Sequence, residues 1–299
     1  MTTPAPGASA PTRTPGASAT AAHLPDPSAR TVRWEIAIVL GLSLGRSAVY
    51  AVVQLIDKAT RAPLGEQTTV LNPTVNDRWI FDLVYQLLDI GFALVPVALV
   101  LHLMWLRGRN PFRTLGLDLR RPGRDLAWGV GLFLAMGLGT LAVYAGGRAA
   151  GITTAIVANA MDPSWYAVPV LLLSAARHAL LEEVIVVAWM VDRLGYLQQL
   201  RAAGLARHPA PALPSPAATG LFLPVRVWTV VLALAVLRAG YHLYQGVGPG
   251  IGNALMGVVF TLFFVRHRRV VPLVVAHFLL DAVGFVAFPL LAQAGWFGT

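Results

Sequence analysis

The chain has 299 residues, of which 56% are hydrophobic and only 12% are charged. Because a soluble domain has about 25% charged residues, this composition excludes an ordinary soluble protein and predicts an integral membrane protein. The net charge of +9 does not indicate nucleic acid binding, since the positive residues lie in short loops between apolar segments. Cysteine is absent, which excludes disulfides, thiolate metal ligands and a cysteine nucleophile.

Residues 1–32 are rich in Ala, Pro, Thr, Ser and Gly and have almost no large apolar side chains. Such a segment cannot bury enough apolar surface to offset the entropy lost on ordering, so we predict a disordered N-terminal tail. The tail has no apolar segment followed by a small-residue cleavage site, and we therefore expect no cleaved signal peptide.

Seven apolar segments follow, each close to the roughly 20 residues that cross the hydrocarbon core of a membrane. This pattern predicts an all-α fold, a polytopic transmembrane helical bundle of about seven to eight spans if a re-entrant segment is allowed. The segments cover residues 34–56, 79–106, 126–146, 166–191, 227–245, 250–265 and 271–292.

The loops between these segments alternate in charge. Neutral loops are expected to lie outside the cell and positive loops inside, which places the N-terminus in the cytoplasm. We expect a multi-pass protein of a bacterial plasma membrane. The neutral loops are residues 57–78, 147–165 and 246–249, and the positive loops are residues 107–125, 192–226 and 266–269.

Unusual polar residues lie within three apolar segments of the C-terminal half. Ionisable side chains are costly inside a membrane and are usually functional there. Residues four apart share a helix face, so each segment can present a polar stripe to a common interior. The residues are Arg177, His178, Glu182 and Glu183 in the fourth segment, Arg238 and His242 in the fifth, and His277 and Asp281 in the seventh.

These side chains can carry out hydrolysis. A carboxylate accepts a proton from water, the resulting nucleophile attacks an amide carbon, and a second group stabilises the oxyanion. Glu182 or Glu183 is the expected general base, and a nearby histidine orients the water or returns the proton to the leaving amine. No covalent intermediate is required.

The order Glu-Glu, then Tyr/Phe-xxx-His, then His-xxx-Asn/Asp in successive apolar segments resembles the CPBP intramembrane proteases, also called the CAAX-protease and bacteriocin-processing family. The resemblance covers roughly residues 165–290. It implies a protease core in residues 151–299 preceded by N-terminal transmembrane helices in residues 33–150.

The resemblance also implies a role for each motif residue. Glu182 would activate water and Glu183 would be a supporting acid. His242 and His277 would be the histidines of the site, and Asp281 would fill the last motif position. The implied activity is that of an intramembrane endopeptidase related to type II CAAX prenyl endopeptidases.

Two positions depart from the family pattern, and they leave the activity uncertain. The arginine of Glu-Glu-xxx-Arg is replaced by Val187, and we expect Arg238 to supply its charge. The aromatic residue of the second motif would stand at position 238, whereas Tyr241 directly precedes His242. We assign supporting roles to Arg238 and His178.

The expected substrate is a membrane peptide or the lipidated C-terminus of a protein, with the lipid bilayer as the other partner. We expect no cofactor. The HExxH motif is absent, but a metalloendopeptidase-like zinc site built from Glu182, His242 and His277 is chemically reasonable. Two other functions remain open: a proteolytically inactive scaffold or immunity protein of the same fold, and a small proton-coupled carrier.

One geometric difficulty follows from this assignment. If the segments are straight rods, His242 lies near the outer end of the fifth and His277 near the inner end of the seventh. At 1.5 Å per residue this is a depth difference on the order of 15 Å. A tilted helix, a re-entrant segment at residues 246–250 or a deep polar cavity would reconcile the two positions.

Overall fold

A computed structural model describes residues 24, 26–202, 204, 225–287 and 289. Residues 1–23 of the predicted tail and residues 205–224 of the longest loop lie outside the described residues. The first helix begins at Ala29. Its N-cap is Ser28, whose hydroxyl accepts a hydrogen bond from the Thr31 N–H, the usual way to satisfy an unpaired donor of the first turn.

The described chain is almost entirely helical. A π-helical segment, Leu181–Trp189, joins α7 to α8, and another, Val283–Ala287, extends α11. The two strands, β1 (Thr68–Val70) and β2 (Ala155–Val157), pair in parallel. The helices are α1 (Ala29–Gly41), α2 (Leu44–Arg61), α3 (Trp79–Ala93), α4 (Val95–Trp105), α5 (Pro111–Leu115), α6 (Pro122–Ala149), α7 (Ala167–Leu180), α8 (Met190–Ala202), α9 (Val225–His242), α10 (Val247–His267) and α11 (Val271–Ala282).

Each of the seven predicted apolar segments contains helix, but the predicted span count of seven to eight is not confirmed. Among the described residues, four helical segments are long and apolar enough to cross a membrane, or five if the bent pair α1–α2 is one span. Two predicted segments do not meet this criterion. The continuous α7–α8 helix carries several charges, and the described part of the last helix, Val271–Ala287, is too short. The four are Trp79–Trp105, Pro122–Ala149, Arg226–Gln245 and Val247–His267.

The bend between α1 and α2 is 54°. At this break the Ser43 hydroxyl donates to the Val39 carbonyl oxygen at 2.6 Å. A serine that bonds back to the preceding turn is a common cause of helix bending. The bend turns α2 toward α9, against which it packs.

The π-helical segment Leu181–Trp189 is the centre of the fold. Every residue from Glu182 to Trp189 is buried, as expected for a helix that is apolar on all sides apart from two acids. Helices α4, α9, α10 and α11 contact it. The chain therefore places its adjacent carboxylates on the most enclosed element of the bundle.

Glycine permits the close contact of α9 with α10. A Cβ at Gly257 would lie 3.0 Å from the Ala235 Cα and 3.3 Å from the Arg238 Cδ. Small residues at such an interface let helix backbones approach. Gly257 thereby leaves room for the Arg238 side chain to extend along α10 toward the centre of the bundle.

A second close contact joins α6 to α10. Thr153 is fully buried between Gly147 of α6 and Gly248 of α10, and a Cβ on either glycine would collide with its hydroxyl. This contact fixes the start of α10, which follows the 3₁₀ turn Leu243–Gln245. The same 3₁₀ turn directly follows the last residue of α9, so the contact also holds the end of that helix in place.

We expect Gly248→Ala to lower the free energy of unfolding by about 1–3 kcal/mol, the usual cost of overpacking a tight contact. Thermal unfolding in detergent measures the effect. The Thr153 hydroxyl has no hydrogen-bond partner among the described residues, so Thr153→Ala should make room for the new methyl group. The interpretation fails if the single variant is as stable as the wild type, or if the double variant is no better than the single.

Ion pairs join the helices at the end of the bundle that carries the positive loops. Arg107 pairs with Glu35, and Arg109 makes a bidentate pair with Asp192 at 2.6 and 2.7 Å. Arg269 binds the Asp125 carboxylate through Nε and Nη2, and its Nη1 donates to Asp118 Oδ1 at 3.0 Å. These arginines therefore tie α1 and α8 to the loop after α4, and α6 to the loop before α11. The predicted N-terminal orientation stays a prediction.

Candidate active site

Glu182 and Glu183 occupy the first turn of the π-helical segment and are both buried, with 5% and 0% of their surfaces exposed. Consecutive residues of a helix point in directions about 100° apart. Their carboxylates consequently meet different neighbours. Glu182 faces the end of α9, and Glu183 faces both α9 and α11.

The Glu182 carboxylate accepts a hydrogen bond from the Tyr241 hydroxyl at 2.8 Å. The same oxygen lies 3.3 Å from Nη2 of Arg238 and 3.7 Å from Nε2 of His242. Both ring nitrogens of His242 are buried and lack a hydrogen-bond partner among the described residues. Glu182 therefore lies beside an imidazole that has unused hydrogen-bonding capacity.

The Glu183 carboxylate is held more tightly. Its Oε1 accepts a hydrogen bond from Arg238 Nη1 at 2.8 Å and lies 2.7 Å from His277 Nδ1. Arg238 is fully buried and contacts both glutamates, and its guanidinium also lies 5.5 Å from the Phe260 ring centroid. A buried carboxylate pair needs such a partner, because the desolvation of unpaired charges is strongly unfavourable.

A second group of polar residues continues from His277 toward the edge of the bundle. Its Nε2 lies 3.7 Å from Asp281, and Asp281 lies 3.4 Å from His178. Arg177 follows, with Nη2 2.6 Å from His178 Nε2 and Nη1 2.6 Å from the exposed Asp89. His178 thus contacts Asp281 and not Glu182, although His178 and Glu182 are four residues apart and such residues were predicted to share a helix face.

The structure brings together five predicted site residues in one buried cluster: Glu182, Glu183, Arg238, His242 and His277. Asp281 and His178 adjoin it through His277. The Tyr241 hydroxyl, which donates to Glu182, was not among the predicted site residues. The Tyr-His pair in the sequence could have indicated this contact, but the family pattern has its aromatic residue at position 238, four residues before the histidine.

Residues 163–283 match a family model described as type II CAAX prenyl endopeptidase Rce1-like. This part of the chain is similar to the Rce1-like family of CAAX proteases, and we call it the Rce1-like domain. It contains every residue of the buried cluster, together with Asp281 and His178. No curated protein and no solved structure matches the chain significantly. The apolar helices and the Rce1-like domain together indicate an integral membrane protein.

The two departures of the Rce1-like domain from the family pattern concern one ion pair. Val187 is 1% exposed and belongs to the apolar core, so no charge is available at that position. Position 238, where the pattern has an aromatic residue, carries the arginine that contacts both glutamates. An arginine of α9 therefore contacts both acids, whereas the family pattern has its arginine on the segment that carries the acids.

Three side chains of the Rce1-like domain also lie close enough together to be candidate ligands of a metal ion. Donor atoms of Glu182, Glu183 and His277 lie within 4.8 Å of one another, a set that differs from the predicted Glu182, His242 and His277. The Arg238 guanidinium contacts both carboxylates and lies 3.3 Å from His277 Nδ1. Since a fixed cation adjoins these donors, the set fits an arginine-bridged acid pair better than a metal centre.

Proposed function

We propose that the Rce1-like domain is an intramembrane endopeptidase in which Glu182 activates the water that hydrolyses a peptide bond. The family is that of CAAX proteases. The observation that carries the proposal is the difference between the two acids. Glu183 is fully buried between Arg238 and His277, whereas Glu182 is slightly exposed and lies beside the unpartnered His242.

In the proposed reaction a water molecule lies between Glu182 and His242. Glu182 removes one proton, and the water oxygen forms a bond to the amide carbon as the carbonyl π electrons move to oxygen. When the tetrahedral intermediate collapses, the C–N bond breaks and the proton passes from Glu182 or through His242 to the leaving nitrogen. Proton transfer by a positioned side chain typically contributes about 10²- to 10⁴-fold to the rate.

The remaining residues of the cluster have positioning and electrostatic roles in this proposal. Arg238 holds the π-helical segment against α9, because its Nη1 lies 2.8 Å from Glu183 Oε1 and its Nη2 lies 3.3 Å from Glu182 Oε2. His277, fixed at Nδ1 by Glu183, presents its other nitrogen toward Asp281 and, when doubly protonated, can donate to the oxyanion.

The proposed substrate is a membrane peptide or the lipidated C-terminus of a protein. CAAX proteases act on prenylated protein C-termini, and prenylation remains to be tested here. Product masses after incubation with membrane peptides, including farnesylated ones, test the function. The alternative is an inactive scaffold, which the pairing of buried Arg238 with two acids favours. An inactive scaffold would yield no product from wild-type protein. The carrier hypothesis has no specific support in the geometry.

We further propose that hydrolysis requires no metal, since Arg238 already supplies the positive charge between the two carboxylates. Dialysis against EDTA or treatment with phenanthroline should leave the cleavage rate within about twofold of the rate of the untreated protein, because Glu182 deprotonates the attacking water without the help of a metal. Loss of cleavage that zinc restores would instead establish the metalloendopeptidase-like hypothesis.

A further inference from the structure

Positive charge is concentrated where α6 begins, α10 ends and α11 begins. Residues 118–125 and 266–269 contain six arginines against two aspartates, which leaves a net charge of +4. Basic residues in short loops are common in membrane proteins and by themselves indicate only topology. Here, however, several of them line one small cavity between the three helices.

The cavity combines cations with aromatic rings, and we call it the arginine cavity. Its lining comes from the start of α6, from the end of α10 and from the residues that lead into α11. The lining includes Arg121, Arg124 and Trp128 from the first of these, Phe263 and His267 from the second, and Arg269 from the third.

Two arginines of the cavity are available to a ligand, and the third is not. Arg269 is held by the one carboxylate of the described lining, Asp125, at 2.8 Å from its Nε, and also by Asp118 at 3.0 Å. Arg121 and Arg124 are exposed and make no hydrogen bond or ion pair with a described residue. The charge of Asp125 is thus compensated by Arg269, whereas Arg121 and Arg124 face the cavity uncompensated.

The aromatic part of the cavity is typical of a membrane–water interface. The Trp128 ring centroid lies 5.6 Å from that of Phe263 and 5.4 Å from that of His267. Trp128 is nevertheless 43% exposed, and tryptophan at the end of a transmembrane helix usually lies at the level of the lipid head groups. Arg124 stands one turn before Trp128 on the same side of α6, so its guanidinium lies near that level too.

The rest of α6 presents an apolar surface to the membrane. Only 6% of the residues in its most apolar stretch are buried within the protein. Leu126, Leu134 and Leu138 have 55%, 56% and 73% of their surfaces exposed. In a multi-pass protein such a surface is covered by acyl chains, since a helix this apolar is unfavourable in water. The arginine cavity therefore lies at the end of a helix that lipid tails already cover.

We propose that the arginine cavity binds the phosphate group of an anionic phospholipid, with Arg121 and Arg124 as its ligands and the acyl chains along α6. Arginine forms strong charge-assisted hydrogen bonds with phosphate, and basic pockets between transmembrane helices are suited to anionic head groups. None of the described lining residues belongs to the buried cluster around Glu182. The inference is therefore independent of whether the protein hydrolyses peptides.

The test measures the displacement of fluorescent phosphatidylglycerol from the full-length protein in detergent. The competitors are unlabelled phosphatidylglycerol, phosphatidylcholine and inorganic phosphate. We expect phosphatidylglycerol to compete at least about tenfold better than phosphatidylcholine, whose choline group repels the two arginines, because each basic residue near an anionic head group contributes about fivefold. Inorganic phosphate should compete poorly, since it has no acyl chains to bury.

The decisive variant is the double substitution Arg121→Gln, Arg124→Gln, which should weaken the binding of phosphatidylglycerol by at least about tenfold. Both side chains are exposed, so the fold should persist. The double substitution Arg121→Lys, Arg124→Lys keeps the charge and should retain most of the affinity. Loss of affinity in the lysine variant equal to that in the glutamine variant would contradict a site built on charge.

The matched control is Arg30→Gln, Arg33→Gln, which removes two exposed arginines of α1 outside the cavity lining and changes the net charge by the same amount. Its affinity for phosphatidylglycerol should stay within about twofold of the wild type, because these residues do not contact the head group. An equal loss in both glutamine variants would mean diffuse attraction by net charge and would overturn the inference. Equal competition by phosphatidylcholine, or by inorganic phosphate, would overturn it as well.

Discussion

Glu182→Gln is expected to lower the rate of peptide cleavage by at least about 100-fold, because the amide cannot accept the proton of the attacking water. Gln has nearly the same shape as Glu and can still accept the hydrogen bond that Tyr241 donates at 2.8 Å. The fold should therefore persist. Cleavage is measured as product mass against time, and folding is measured by thermal unfolding in detergent.

His242→Ala is the companion variant, because His242 lies 3.7 Å from Glu182 and is the proposed partner of the water. We expect a large loss of rate with little change in stability, since the imidazole nitrogens make no hydrogen bond with a described residue. A control substitution on the surface, Arg33→Gln, should leave the rate unchanged. Full activity in Glu182→Gln would remove Glu182 from the mechanism and leave Glu183 to be tested as the base.

Arg238→Met is expected to destabilise the protein by about 3–5 kcal/mol, the typical cost of breaking a buried ion pair by removing one partner. Arg238 is fully buried and contacts Glu183 at 2.8 Å and Glu182 at 3.3 Å. Without it, two carboxylates remain in the core, and His277 Nδ1 lies 2.7 Å from Glu183. Unfolding in detergent with a chemical denaturant measures the loss.

A double-mutant cycle separates the ion pair from general packing. Glu183→Gln removes one of the two acids that Arg238 contacts, so the Arg238→Met, Glu183→Gln protein should be more stable than the sum of the single effects predicts. Additive effects would mean that Arg238 acts through its aliphatic stem and the nearby Phe260 ring, and would contradict the role assigned to its charge.

Much of the site could be predicted because charge is rare inside apolar helices. Glu182, Glu183, Arg238, His242 and His277 stand out in segments that otherwise contain few polar residues. Their cost in a membrane makes a shared cluster the natural expectation, and the structure contains that cluster. The proposal that Arg238 supplies the charge absent at Val187 agrees with its contacts to both acids.

Other features depend on backbone geometry that composition does not reveal. His178 and Glu182 are four residues apart, but the π-helical segment begins at Leu181 between them. Its wider i→i+5 turn breaks the four-residue alignment, and His178 contacts Asp281 instead.

The depth difference of about 15 Å expected for straight rods is also absent, because His242 and His277 contact adjacent glutamates. The 3₁₀ turn at Leu243–Gln245 and the arrangement of α9 could not be read from hydropathy.

The predicted span count is not confirmed, for a related reason. Hydropathy locates apolar segments, but it does not show that α1 and α2 meet at a 54° bend or that the described part of the last helix, Val271–Ala287, is shorter than a span. The polar α7–α8 helix is buried by its neighbours in the protein as well as by lipid.

In the proposed reaction, Glu182 activates water for direct attack on a peptide bond. The most direct test is a single turnover of wild-type protein in heavy-oxygen water, with the product's new carboxylate analysed by mass spectrometry. Direct attack by water should put one heavy oxygen into that carboxylate on the first turnover, and Glu182→Gln should give no product. A first-turnover product without heavy oxygen would indicate a covalent acyl–Glu182 intermediate, and the absence of product from folded wild-type protein would contradict the endopeptidase itself.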